Sequence, residues 1–175
     1  MALHAGDAAA LRALRAADAA LQSRWPEDKD PSNYEGVTWD WRYSPTRARH
    51  VVKLGQLEKL EVLGPAIGQL AMLEEISFCN CNKLQRLPNE LGNLTALKSL
   101  HIYNCSELQR LPNELGNLTA LKSLSIKFSN KLQRLPNELG NLTALERIHL
   151  DGCDALTHPP KGTRGSVRCV LAYLY

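Results

Sequence analysis

Cysteine and histidine side chains lie close together in the middle of the sequence, and their types could bind a metal ion. Cys79 and Cys81 are two residues apart, and His101 and Cys105 follow within the next 24 residues. Thiolates and imidazoles are ligands that zinc prefers. Strand alternation, however, is expected to direct Cys81 and Cys105 inward and Cys79 outward. The four side chains then cannot converge on one ion in a tetrahedral array, so we expect no metal site.

Catalytic groups are equally sparse. His101 and His149 are separated by twice the 24-residue period at which the sequence repeats, so they share one outward strand position. Sheet spacing puts them about 9–10 Å apart. No Ser-His-Asp set, pair of carboxylates or glycine-rich phosphate loop accompanies them. We expect solvated contact residues here, in a chain that is not an enzyme and needs no cofactor.

Two further residue classes bear on the cellular compartment. The five cysteines are Cys79, Cys81, Cys105, Cys153 and Cys169. Their odd number, and their absence before residue 79, favour reduced thiols over a disulfide framework. The Asn-Leu-Thr triplets at Asn93, Asn117 and Asn141 are formal glycosylation sequons. They belong to the repeated sequence and would matter only in a secreted protein, so we favour a structural use.

The elements that carry these residues come from an internal repeat. The segment LQRLPNELGNLTALKSL occupies 84–100 and again 108–124, and LQRLPNELGNLTALERI occupies 132–148. A unit of this length with leucines at fixed offsets cannot bury its apolar side alone, so each unit must stack on the next. The sequence therefore predicts a solenoid, which presents a long open surface rather than a closed pocket.

Aligning the units gives a common frame. The predicted inward strand positions are Val52 and Leu54, Ile76 and Phe78, Leu100 and Ile102, Leu124 and Ile126, and Ile148 and Leu150. Three residues after each strand come Leu57, Cys81, Cys105, Ser129 and Cys153, in that order. A small side chain that hydrogen-bonds buried backbone groups suits this position. The prolines at 88, 112 and 136 fix φ for the return arm. The glycines at 92, 116 and 140 are predicted to allow a tight bend.

The flanking segments have different patterns. Residues 7–25 read as one amphipathic helix with Asp7 as its N-cap, which we expect to cover the open end of the array. A partner-binding or self-associating helix is the alternative. A loop over 26–33 precedes a short aromatic-rich strand over 34–41 that is expected to close the first core. A carbohydrate or peptide site built on Trp39 and Trp41 is the less favoured interpretation.

The frame LxxLxLxxCxxLxxLP, together with the return arm LPxxLGxL, resembles the leucine-rich repeat family over residues 49–158. Its cysteine variant is similar to the repeats of plant intracellular immune receptors and related plant, protist and bacterial proteins. The resemblance implies an α/β fold, a right-handed solenoid with a parallel β-sheet on the concave face. It also implies an N-terminal cap over 1–48, about five 24-residue units over 49–158, and a C-terminal cap over 159–175 that ends in a short helix.

The N-terminal segment is similar to the cap of extracellular plant-type repeats, but with one difference. The family segment ends in GVTC, whose cysteine pairs with another, whereas Trp39 stands at that place here. The resemblance therefore implies a cap without its disulfide, which counts against an extracellular receptor.

The bulk properties exclude several partners. The formal net charge is +3, and no run of lysine or arginine exceeds two residues, which argues against nucleic acid. No stretch approaches the roughly 18 apolar residues of a membrane span. The first residues are interrupted by Arg12, Arg15 and Asp18, which does not fit a signal peptide. We expect a cytoplasmic monomer, with secretion or delivery into a host cell as the alternative.

The copies also locate a candidate binding surface. The return arms are nearly identical, but the outward strand residues differ in charge and size, although drift on a solvated face would look the same. The predicted contact residues are Glu75, Ser77, Cys79, Ser99, His101, Tyr103, Ser123, Ser125, Lys127, Phe128, Arg147, His149 and Asp151. Tyr103 and Phe128 are candidate anchors, and Lys127, Arg147 and Asp151 could supply orientation.

These observations predict a non-catalytic module that binds a protein or peptide on its concave face, as an adaptor or regulator in signalling or defence. Two alternatives remain open. One is a virulence effector that is delivered into a host cell, and the other is a ligand-perceiving receptor ectodomain.

Overall fold

The computed structural model describes residues 3–40, 50–164 and 166–174, apart from the side chain of Gln56. The helices are α1 (Ala5–Ala17), α2 (Ala19–Arg24) and α3 (Val167–Ala172). The strands are β1 (Val37–Asp40), β2 (His50–Glu58), β3 (Glu75–Cys79), β4 (Ser99–Tyr103), β5 (Ser123–Lys127) and β6 (Arg147–His149). Short 3-10 helices span Pro31–Asn33, Pro65–Gln69, Asn89–Asn93, Asn113–Asn117, Asn137–Asn141 and Lys161–Thr163.

All six strands form one sheet in the order in which they occur along the chain. β1 is antiparallel to β2, and every later pair is parallel. In β4, Leu100 and Ile102 are buried, while His101 between them is half-buried on the other face. Leu100 pairs with Leu124, and Ile102 pairs with Ile126. The predicted α/β solenoid with a parallel sheet is confirmed.

The return arms stack on one another opposite the sheet. In each repeat a proline precedes the 3-10 helix, with φ of −72° at Pro88, −68° at Pro112 and −65° at Pro136. These values match the φ that the proline ring imposes. The leucines that follow, such as Leu91 and Leu94, are fully buried against the strand leucines and make one continuous core.

The glycines of the return arm have a different role from the predicted one. Gly92 and Gly116 do not adopt positive φ, so the tight bend is wrong for these two residues. A Cβ on Gly92 would instead lie 2.6 Å from Cβ of Glu114 in the next repeat. A Cβ on Gly116 would lie 2.7 Å from Cβ of Glu138. Glycine is needed here because successive coils approach too closely for a side chain.

The recurring cysteines bond the turn that follows each strand. Cys81 Sγ donates to the Leu57 carbonyl at 3.1 Å, and Cys153 Sγ donates to the Ile126 carbonyl at 3.5 Å. Both side chains are completely buried. The predicted hydrogen bonding of buried backbone groups at this position is therefore confirmed for these two thiols.

Ser129 breaks the pattern at the same position. Its side chain is completely buried, yet Oγ has no hydrogen-bond partner among the described residues. An unpaired buried hydroxyl costs about 1–3 kcal/mol, whereas a thiol behaves as a small apolar group with a weak donor.

We expect the substitution Ser129→Cys to raise the free energy of unfolding by about 1 kcal/mol, because it replaces an unpaired hydroxyl with the side chain used in three other repeats. Urea denaturation of the wild type and the variant measures the change. The reciprocal substitution Cys105→Ser is the matched control and should be destabilising. A less stable Ser129→Cys variant would contradict this account.

The first unit does not follow the 24-residue frame. β2 has nine residues and an irregularity between Leu54 and Leu57. Leu54 therefore pairs with Ile76, and Leu57 pairs with Phe78. The sequence frame had instead aligned Val52 with Ile76, so the predicted register of this unit was wrong. The extra residues at Gly55 and Gln56 shift every later inward side chain of the strand.

The N-terminal helix is divided in two. The predicted helix over 7–25 is wrong in its continuity, because Asp18 has extended φ and ψ and ends α1. Its carboxylate Oδ1 then accepts hydrogen bonds from Ala20 N and Leu21 N and caps α2. His4 is the N-cap of α1, so Asp7 does not have the predicted capping role. Asp7 is instead buried in the first turn of α1.

The aromatic residues near this end pack into the core. Trp25 is completely buried and stacks on Tyr34 with ring centroids 4.9 Å apart. Trp39 is half-buried and donates from Nε1 to the Ser32 carbonyl at 2.8 Å. These contacts support the packing role over a ligand site for Trp39. Trp41, the other residue of that alternative, lies outside the described residues.

A buried arginine ties the last coil to the C-terminal segment. Arg164 is 5% exposed and donates to the carbonyls of Cys153, Leu156 and Pro159. After it, Val170 of α3 packs into the common core. None of the helices in the described residues is long and apolar enough to cross a bilayer.

Candidate binding surface

Most of the predicted contact residues lie on the strand face opposite the core. Glu75, Ser99 and Arg147 belong to one row across the sheet, and His101, Ser125 and His149 belong to the next row. The register therefore places His101 and His149 at the same strand position, two strands apart, as the repeat period predicts.

Exposure differs strongly within the predicted set. Tyr103 and Phe128 are each 46% exposed, which is high for large apolar side chains. Ser123, in contrast, is 7% exposed, because it lies between neighbouring side chains of the sheet. Ser123 therefore offers a ligand little surface, and the aromatic pair offers the most apolar area.

The two aromatic rings contact each other. Tyr103 ends β4, and Phe128 directly follows β5, so their side chains meet at the same edge of the sheet. Their centroids are 5.3 Å apart and their planes are 81° apart, the edge-to-face arrangement that aromatic pairs prefer. Together they form a small apolar patch, which we call the aromatic pair.

The backbone at Phe128 is unusual. Its φ is +56°, and the equivalent residues of the other units are Asn80, Asn104 and Gly152, also at positive φ. Asparagine and glycine tolerate this left-handed conformation, whereas a bulky side chain is strained by about 1 kcal/mol. Phe128 therefore keeps an exposed aromatic ring at a position where the neighbouring repeats use residues that fit better.

Asparagines extend the edge beside the aromatic pair. Asn104 Nδ2 donates to Asn80 Oδ1 at 2.9 Å across adjacent repeats. The sequence analysis did not include these two residues, because they follow the strands rather than alternating within them. Their recurrence at one offset, with the preference of asparagine for positive φ, is the signal that could have identified them.

Charged residues surround the aromatic pair. Lys127 Nζ lies 3.3 Å from Asp151 Oδ2, and Lys53 Nζ lies 2.7 Å from Glu75 Oε2 at the other end of the sheet. Exposed pairs of this kind add little stability, so their main effect is to give the face a defined charge pattern. Arg147 is exposed, with its guanidinium 4.0 Å from Glu146.

The thiols are arranged as the strand pattern predicts. Cys81 and Cys105 are completely buried, and Cys79 is half-buried with Sγ 3.6 Å from Ser77 Oγ. The hydrogen bond with Cys105, together with burial, raises the pKa of the Cys81 thiol, and burial raises that of Cys153. All five cysteines are free thiols. The buried ones are neutral at physiological pH, which suits packing and not nucleophilic chemistry.

Comparison with known proteins identifies the repeat. A family model described as a leucine-rich repeat region matches residues 54–158, which is more than half of the chain. The chain belongs to the leucine-rich repeat family. The leucine-rich repeat fold suggests a role in protein–protein interaction and is typically a non-enzymatic module. No curated protein matches this sequence.

Several solved structures are similar to this leucine-rich repeat chain. The leucine-rich repeat domain of the type III effector XopL is 34% identical, with a TM-score of 0.50, over 54% of this chain and 32% of that one. The BIR2 ectodomain from Arabidopsis thaliana is 18% identical, with a TM-score of 0.61, over 91% of this chain and 97% of that one.

A third structure, a leucine-rich repeat protein of Leptospira interrogans, is 41% identical over 53% of this chain and 22% of that one, with a TM-score of 0.46. This chain thus spans about a third of the effector structure and about a fifth of the Leptospira protein. The neighbours include both an effector and an extracellular domain.

Proposed function

We propose that this leucine-rich repeat chain binds a protein or peptide on its concave face, without catalysis, as an adaptor or regulator in signalling or defence. The aromatic pair, Tyr103 and Phe128, would anchor the ligand near the centre of the contact. Exposed aromatic residues contribute most to protein interfaces, and a patch of this size on an open sheet fits a side chain of a partner.

The observation that carries this proposal is the strained backbone at Phe128. A left-handed phenylalanine costs stability that asparagine, present in two equivalent repeats, would not. Strained residues are found preferentially at functional sites, because selection maintains them there for a reason other than stability. Ligand contact by the exposed ring supplies that reason.

The charged residues beside the pair would orient the ligand. Lys127 and Asp151 form one exposed ion pair, and Arg147 adds a cationic group one strand away. Charged groups at the rim of an interface affect specificity and association rate more than affinity. The predicted contact residues His101 and His149 lie between these charges and the other end of the sheet.

We expect the double substitution Tyr103→Ala with Phe128→Asn to weaken binding about 30-fold, corresponding to about 2 kcal/mol. A partner captured from lysate by the wild-type chain is purified, and its Kd is then measured for each variant by calorimetry. The melting temperature of the double variant should be unchanged or higher, because asparagine accepts the left-handed conformation.

The matched control is the double substitution Thr95→Ala with Thr119→Ala, at exposed return-arm positions opposite the sheet. The control should retain wild-type affinity. An unchanged Kd in the aromatic double variant, or an equal loss in the control, would show that the ligand contacts another surface.

The cellular setting stays part of the proposal. We favour a cytoplasmic monomer organised as a cap over 1–48, repeats over 49–158 and a second cap over 159–175. The effector and ectodomain alternatives rest on XopL and BIR2 as structural neighbours. Asn93, Asn117 and Asn141 are all exposed, so glycan mass on the purified native protein would favour the ectodomain, and five reactive thiols without glycan would favour the other two.

A further inference from the structure

We propose a binding site for a divalent transition-metal ion, of the zinc type, formed by His4, Asp7 and His50. Each residue offers one ligand atom, and these atoms all lie within 4.8 Å of one another. His4 and Asp7 belong to the start of α1, and His50 is the first residue of β2. The site is independent of the concave face and differs from the sequence-based expectation, which weighed the central cysteines and found no metal site.

The interatomic distances fit metal ligands better than hydrogen bonds. His4 Nδ1 lies 3.4 Å from Asp7 Oδ1, and His50 Nδ1 lies 3.5 Å from Asp7 Oδ2. Strong N–H to oxygen hydrogen bonds are shorter, at about 2.9–3.0 Å. Ligands bound to tetrahedral zinc at about 2.0–2.1 Å are separated from one another by about 3.3 Å. Both imidazoles also turn the same nitrogen, Nδ1, toward the one carboxylate.

The burial and charge of the cluster favour a cation. Asp7 is 3% exposed, and Oδ2 also accepts a hydrogen bond from Val51 N at 2.7 Å, which fixes the carboxylate. The two imidazole rings stack with centroids 4.4 Å apart. Two protonated rings at this distance would repel each other, and one carboxylate can balance only one of them. A single ion bound to two neutral imidazoles and the carboxylate removes that conflict.

The donor set indicates the class of ion. Two imidazole nitrogens and one carboxylate oxygen suit zinc, nickel or copper, whereas magnesium and calcium prefer ligand sets made of oxygen. His4 is exposed, so an ion can enter from solvent, and a water molecule can complete the coordination. Because the ligands come from α1 and β2, bound metal would fasten the N-terminal helix to the first repeat.

The site is tested with zinc alone, by calorimetry and thermal unfolding of the whole chain. We expect one ion per chain in the wild type. The melting temperature should rise by roughly 5–10 °C when free zinc is about 100-fold above Kd, and chelator should reverse the rise. Magnesium and calcium should leave the melting temperature unchanged.

The variants His4→Ala and His50→Ala should each bind zinc at least about tenfold more weakly, since each removes one of three ligands. His4 is exposed, so its variant keeps the fold even if His50→Ala is destabilised. The double substitution His101→Ala with His149→Ala removes two histidines elsewhere and should bind like the wild type. Zinc binding that is absent in the wild type, or equally strong in His4→Ala and His50→Ala, would overturn the proposal and point to the cysteines as the zinc ligands in the second case.

Discussion

Replacing Asp18 with alanine is expected to lower the free energy of unfolding by about 3 kcal/mol, because its carboxylate accepts four backbone hydrogen bonds. Oδ1 bonds Ala20 N at 2.8 Å and Leu21 N at 3.3 Å, and Oδ2 bonds Glu61 N and Val62 N at 2.8 Å each. One oxygen caps α2 while the other bonds the first repeat. The side chain thereby joins the N-terminal helices to the array.

The expected loss is smaller than the sum of four bonds to a charged group, each about 1.5–3 kcal/mol. Glu61 and Val62 are exposed, so water can reach their backbone amides once the carboxylate is gone. Thermal unfolding should therefore show a decrease of about 6–12 °C in melting temperature. Asp18→Asn keeps one acceptor oxygen and should lose less.

Asp28→Ala is the matched control, because Asp28 is an exposed acidic residue of the following loop. It should unfold like the wild type. Equal melting temperatures for Asp18→Ala and Asp28→Ala would mean that the cap contributes nothing to the stability of the array.

The substitution Gly92→Ala should destabilise the protein by about 2–3 kcal/mol, because two stacked coils would have to separate. The added Cβ would lie 2.6 Å from Cβ of Glu114, and closer still to its carbonyl oxygen. Neither backbone nor Cβ can move aside as a flexible side chain could. Gly116→Ala creates the same overlap with Glu138 and should cost about as much.

Gly162→Ala is the matched control for both variants. A Cβ at Gly162 would meet no atom within 4 Å, so the same change in chain flexibility occurs without the overlap. Urea denaturation of all three variants separates the two effects. If Gly92→Ala and Gly116→Ala are as stable as Gly162→Ala, then close packing of the coils does not explain the conserved spacing within this chain.

The repeated units were predictable from the sequence because periodicity alone fixes which residues are buried. Leu100 and Ile102 recur 24 residues later as Leu124 and Ile126, and the sheet pairs them as expected. The alternation of strand side chains also predicted that Tyr103 would be exposed. For the same reason the inward orientation of Cys81 followed without knowledge of any neighbour.

Features that depend on distant residues were not predictable in this way. Asp18 ends α1 because its carboxylate bonds amides more than 40 residues away, at Glu61 and Val62. Within an alanine-rich segment, local preference favours a continuous helix. Likewise, His4 and His50 come together only because α1 packs against the start of β2, so their spacing in the sequence contains no ligand signal.

The shift in β2 and the left-handed Phe128 have a local cause that the sequence does not display. Gly55 and Gln56 enlarge the strand by an irregular step, which a fixed 24-residue alignment cannot represent. Phenylalanine is ordinarily a strand residue, so its type predicts extended φ rather than +56°. The equivalent asparagines at 80 and 104 are what make the turn conformation recognisable.

The contacts between consecutive coils are the same wherever identical units meet, as Gly92 on Glu114 and Gly116 on Glu138 illustrate. A gene that gained or lost one such copy would therefore encode a protein whose internal junctions are all already tested by selection. Asp18 and Arg164 would still seal the two ends unchanged. Recombination could thus lengthen the recognition face by about 4.8 Å per event and supply new outward residues, with no need to redesign the rest.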